Sequence, residues 1–121
     1  MSAADDLTQF DRASTVLALA GPVVAVAGVL GFEATAAFRG SVAGSAVVAL
    51  VFAGYGASGV LRGDENRPAA ATVAAVFGVW LVSAPLLYGA SGAVVGAVQT
   101  GGLLLAAFEG YLALVALFAG R

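Results

Sequence analysis

Cysteine, histidine and lysine are all absent from this chain of 121 residues. Without cysteine there is no disulfide, no thiol nucleophile and no thiolate metal site; without histidine the commonest metal ligand and general base are gone. Charge is scarce too. Arginine and the acidic residues together make up 10% of the sequence, against about a quarter in an ordinary soluble domain. No run of cations exists that could hold nucleic acid or an anionic lipid surface. What the chain has instead is apolar: 61% of its residues are hydrophobic and its mean hydropathy is +1.02.

The stretches free of Asp, Glu, Lys and Arg run for twenty residues from Ala13 to Phe32, twenty-two from Gly40 to Leu61 and forty-one from Pro68 to Phe108. About 20 apolar residues cross the hydrocarbon as a helix, whereas barrel strands are about ten residues of alternating polarity. The longest run divides at Gly89-Ala-Ser-Gly92, and its second part continues past Glu109 to Gly120. The expectation is an all-α, polytopic four-helix membrane bundle with spans near 13–32, 41–61, 68–88 and 93–120. An acidic segment, 1–12, precedes the first span, and its Asp5, Asp6 and Asp11 stand where a secretory signal would need positive charge. Leu7 and Phe10, three apart, give that segment the pattern of a short interfacial turn.

Arginine counting orients the bundle. Arg12, Arg62, Arg67 and Arg121 fall on one side and Arg39 alone on the other, which predicts both termini in the cytoplasm of a multi-pass plasma-membrane protein. The 62–67 connection has turn chemistry, and Pro68 suits a first helical position.

Sliding the sequence by 57 residues aligns Ala13/Ala70, Thr15/Thr72, Val16/Val73, Ala18/Ala75 and Gly21/Gly78, then Ala27/Ala84 and Leu30/Leu87. Gly44/Gly101 follow, as do Gly54-Tyr55 and Gly110-Tyr111 after a one-residue slip. The pattern reads as two tandem two-helix repeats, 13–61 and 68–121. Each half resembles the repeat unit of the SPW-repeat family, small prokaryotic membrane proteins in which two helices flank a Ser-Pro-Trp tripeptide. The first half carries Val26-Ala-Gly-Val-Leu-Gly-Phe32 with the family's Gly-Phe ending but no tripeptide; the second carries Trp80-Leu-Val-Ser-Ala-Pro-Leu-Leu-Tyr-Gly89, where Ser83 and Pro85 are separated by Ala84. The resemblance implies a four-helix membrane fold with no established biochemical activity, and so leaves the function open. Arginine without lysine, acidic ends and abundant Ala, Val and Gly also match the residue usage of halophilic archaea.

Lipid tails are as apolar as leucine, so membrane helices associate where small residues let backbones approach. A stripe at spacings of three and four runs through Ser14, Ala18, Gly21, Ala25 and Gly28 in the first span, and one slowly turning face of the second carries Ser41, Ser45, Ala49, Ala53, Gly56 and Gly63. The third offers Ala71, Ala75, Gly78, Pro85 and Gly89, and the fourth Gly102, Ala106, Ala113, Ala116 and Gly120. Gly21, Gly28, Gly44, Gly78, Gly102, Ala106 and Ala113 are the expected packing positions. Pro22 and Pro85 each remove a backbone donor and bend their helices. Trp80 lies too deep for an interfacial anchor, while Phe32, Phe38 and Tyr88 at one surface and Phe10 and Phe118 at the other fit that role.

One residue carries chemistry. Glu109 is the seventeenth residue of the fourth span, deep in hydrocarbon, where an ionisable side chain marks a functional site by default. It shares the Gly102, Ala106, Ala113 face and so points into protein. With no intramembrane cation beside it, the carboxyl is cheaper uncharged than charged and can donate a hydrogen bond. Tyr55, at matching depth, is its expected partner. Gln99 and Thr100 do not share its face, so no continuous polar path forms. The expectation is a structural or accessory membrane protein that assembles through its small-residue faces, with no catalysis and no cofactor. It would work in lipid as a homo-oligomer or as a subunit of a larger membrane complex. The alternative is a proton- or cation-coupled transporter or channel subunit acting through Glu109. An enzyme is disfavoured because no nucleophile and base occur at compatible depths.

Overall fold

The computed structural model describes the backbone of residues 3–61 and 68–119. It forms four helices and, among the described residues, no strand: α1 (Ala3–Gly31), α2 (Ala36–Leu61), α3 (Pro68–Leu87) and α4 (Ala93–Ala119). The chain runs up and down, so that the start of α1 and the end of α4 lie at one end of the bundle, the terminal end. The α1–α2 and α3–α4 connections lie at the other, the Arg39 end. α1 packs against α2 and α4, and α3 against α2 and α4, with the two α4 interfaces the most extensive.

All four helices are long and apolar enough to cross a membrane: Gln9–Gly31, Ala36–Gly59, Pro68–Leu87 and Ala93–Phe118 qualify. Packing agrees with that medium. Alanine and glycine fill the inside, with Ala18, Ala25, Ala46, Ala49, Ala53 and Ala74 fully buried. Leu86, Leu87, Leu30, Val51 and Val76 face outward, each more than 60% exposed. In water such a surface would be one large apolar patch; in a bilayer it matches the solvent. The chain is a multi-pass membrane four-helix bundle.

Helix boundaries have local causes. Thr35 caps α2: its Oγ1 accepts the Phe38 N–H at 3.2 Å and its carbonyl accepts the Arg39 N–H at 2.9 Å. The helix therefore starts five residues before the expected span, because a cap and not the last charge sets its beginning. α3 ends in a Schellman motif, with Ala90 N–H donating to the Pro85 carbonyl at 2.9 Å and Gly89 at φ 65° in the left-handed region. Gly92, at φ 84°, opens α4. The break expected at Gly89–Gly92 is where the chain turns. α1 departs most from expectation. It begins at Ala3, so the expected interfacial turn is helix, since acidic residues interrupt a hydropathy run without interrupting backbone hydrogen bonding. The 62–67 connection, Gly63 and Gly120 lie outside the described residues.

The interfaces rest on glycines. A Cβ on Gly21 would meet the Gly101 carbonyl oxygen at 2.5 Å and the Leu105 nitrogen at 3.0 Å, and one on Gly28 would meet Ala97 Cβ at 2.5 Å. On the other side of α4, a Cβ on Gly78 would meet the Ala106 nitrogen at 2.5 Å, and one on Gly102 the Gly78 oxygen at 2.7 Å. Gly101 and Gly102 thus turn to opposite neighbours, α1 and α3, and each meets backbone. Gly21 and Gly78, matched by the 57-residue shift, both seat on α4. Gly44, matched with Gly101, does not behave like it. Gly44 is exposed, with nothing within 4 Å of an added Cβ, so it packs on no helix of this chain.

Candidate functional site

Buried polar side chains define one level of the bundle. Ser14, Thr15 and Glu109 are the polar residues of the described core, each 2% exposed or less. The α1–α4 register, set by Gly21 on Gly101 and Gly28 on Ala97, brings Ser14 and Thr15 to the level of Glu109, about two turns toward the terminal end from Gly101. Thr15 is already engaged, its Oγ1 donating to the Asp11 carbonyl at 2.9 Å within its own helix. The Ser14 Oγ is buried without a hydrogen-bond partner. Nearer the terminal end, Tyr111 Oη donates to Asp11 Oδ1 at 2.9 Å, and the Tyr111 ring meets Phe10 edge-on at 5.0 Å. This tie spans one hundred residues of sequence and fastens α4 to α1 just outside the buried layer.

Toward the Arg39 end the core turns wholly apolar. Leu105, Leu81, Val98, Val29, Val94 and Phe38 are all 1% exposed or less. Gln99 and Thr100 do not bridge this zone: Gln99 Nε2 donates to the Val82 carbonyl at 3.1 Å, in the turn that Pro85 disturbs, and Thr100 is exposed. Among the described residues, buried polar atoms therefore do not form a file through the bundle.

The sequence places Glu109 inside the protein, and there it lies. Its expected partner is elsewhere. Tyr55 is 57% exposed, on an outward groove of α2 and α3 lined by Val51, Phe52, Ala69, Ala70 and Val73, so the Glu109–Tyr55 pairing is not made. Depth along a helix is legible from residue counting; rotation about the helix axis is not. Phe38 is also corrected. It is 1% exposed and packs on Tyr88, ring centroids 5.7 Å apart, instead of facing the membrane surface. Phe10, Phe32, Tyr88 and Phe118 are exposed as expected.

Two features went unseen in the sequence. Gly101 makes the same backbone approach to α1 that Gly102 makes to α3. Trp80, half-buried, donates its Nε1–H to Ser45 Oγ at 3.0 Å, a polar link between α3 and α2. Ala106 and Ala113, expected in packing, lie against Gly78 and beside Ala71 and Leu112. Among the described residues no group of three or more His, Cys, Asp or Glu side chains could hold a metal ion.

Comparison of the chain with family models, with curated proteins and with solved structures gives no match.

Proposed function

We propose that this protein is a structural or accessory membrane subunit, with no catalytic activity, in which the Ser14–Glu109 layer fixes the register of α1 against α4. The observation that carries the reading is the position of the buried polar groups. They are confined to one level near the terminal end, and an apolar core of large side chains lies beyond them. Such a layer penalises any sliding of α1 on α4, because a slip of one turn would set both polar groups against apolar neighbours. Four helices of this length enclose little volume, so the subunit works as a homo-oligomer or within a larger membrane complex. Its terminal end, which carries Arg12, faces the cytoplasm. The two halves descend from a duplicated two-helix unit of the SPW-repeat type, whose second helices have since diverged, Gly44 turning outward where Gly101 seats on α1.

Glu109→Gln is the decisive variant. It keeps a hydrogen-bonding group of nearly the same shape, so assembly and stability in detergent stay at the wild-type level. Glu109→Leu takes the carboxyl out of the buried layer and lowers stability by about 1 kcal/mol or less, because the Ser14 hydroxyl makes no hydrogen bond that the change would break. Ser14→Ala removes a buried hydroxyl that has no hydrogen-bond partner, so by denaturant titration it is neutral or slightly stabilising. The competing reading is transport coupled to the Glu109 carboxyl. If Glu109→Gln abolished a proton or cation flux in reconstituted vesicles while leaving assembly intact, transport would replace the structural role.

A further inference from the structure

The Arg39 end of the bundle holds a cavity of about 500 Å³, in the size range of small-molecule sites. It opens between the two short connections, and its wall includes Glu33, Arg39, Phe38, Tyr88 and Ser91. Arg39 is fixed there. Its Nε donates to the Val29 carbonyl at 2.8 Å, so the guanidinium caps the end of α1 and is held in the cavity wall by the chain it closes. The cap uses one of five guanidinium donors, and the rest remain available for an oxygen anion.

Glu33 lines the same cavity, yet among the described residues no ion pair joins it to Arg39. Two opposite charges at the membrane boundary, sharing one cavity without neutralising each other, leave a gap that a molecule carrying both signs would bridge. An anion alone would be opposed by Glu33, and a cation alone by Arg39. Tyr88, 41% exposed in the same wall, supplies aromatic surface that favours an ammonium group.

We propose that this cavity binds a zwitterionic phosphoammonium group, its phosphate on the Arg39 guanidinium and its ammonium between Glu33 and the Tyr88 ring. The group can come from a free small molecule or from the headgroup of a lipid at the bilayer surface. The site is independent of the Glu109 layer at the other end of the bundle, so either proposal can fail without the other.

Calorimetric titration of the detergent-solubilised protein with phosphoethanolamine and with inorganic phosphate, followed by incorporation into bilayer discs with and without phosphatidylethanolamine, tests it. Saturable binding of the zwitterion is expected, at least about tenfold tighter than that of inorganic phosphate, the effect of one charge-assisted contact. Glu33→Gln, a change at an exposed position, should weaken zwitterion binding about tenfold and leave phosphate binding unchanged or stronger. Arg39→Gln should weaken both. Binding of the free molecule assigns a soluble ligand, whereas binding seen only in discs containing the lipid assigns its headgroup. No saturable binding in either medium, equal affinity for phosphate and phosphoethanolamine, or a Glu33→Gln variant that binds the zwitterion as wild type does would overturn the proposal.

Discussion

Replacing Gly101 with isoleucine separates α1 from α4 and destabilises the bundle more than the same change at any lipid-facing or loop glycine. A Cβ at this position meets the Gly21 carbonyl oxygen and lies 2.9 Å from the Ala25 nitrogen, so the obstacle is backbone on both sides and no rotamer relieves it. Overpacking a well-filled interior costs about 1–3 kcal/mol, and an obstruction made of main chain sits at or beyond the upper end. The only relief is to move the helices apart, which also loosens Gly28 from Ala97 further along the same seam. Gly44→Ile supplies the control. It adds the same bulk to a lipid-facing position with nothing within 4 Å, and its effect stays within about 0.5 kcal/mol. Unfolding in mixed micelles of increasing SDS fraction reads both variants on one scale. Equal midpoints for the two would mean that the glycine seam between α1 and α4 does not exist.

The second large effect is expected at Leu105. Its side chain is 0% exposed and lies against Gly21, in the layer where the α1–α4 seam meets the central core. Leu105→Ala opens a cavity that backbones already in contact cannot close, and costs about 1–3 kcal/mol, the cavity part alone of a buried leucine truncation. Leu103, two residues away, is 58% exposed. Because lipid solvates leucine as well as a protein interior does, Leu103→Ala should shift stability by less than about 0.5 kcal/mol. In a water-soluble bundle both residues would be read by the same polarity scale. In this one only packing separates them, and the ratio of the two effects measures that packing.

These pairs show what was legible in the sequence. Four helices, their approximate ends and the turn at Gly89–Gly92 follow from run length and glycine placement, because a bilayer imposes a length and a turn imposes a backbone angle. Gly21, Gly28, Gly78 and Gly102 follow from small-residue spacing. Gly44 carries the same spacing yet faces outward, since α2 is small-residue-rich on more than one face and composition does not choose between faces. Glu109 was legible as interior from the company it keeps on α4. Tyr55 was not separable from the interior, because its depth is encoded locally while its azimuth depends on how α2 leans on α1 and α3. The Trp80–Ser45 and Tyr111–Asp11 hydrogen bonds join residues 35 and 100 positions apart, and no local pattern announces either. Arg39 illustrates the same limit. As a lone charge it reads as a topology signal, and only the fold reveals that it closes α1 and lines a cavity.

The central claim is that these four helices are threaded through a bilayer, with the terminal end on one side and the Arg39 end on the other. The native chain has no cysteine, so single cysteines can be introduced without background and labelled with a membrane-impermeant maleimide in sealed, uniformly oriented vesicles. Cysteines replacing Gln9 and Phe118 should label from one side only, those replacing Glu33 and Ser91 from the opposite side only, and one replacing the exposed Val76 from neither. Labelling of the Val76 position from water, or of all four end positions from the same side, would contradict the account.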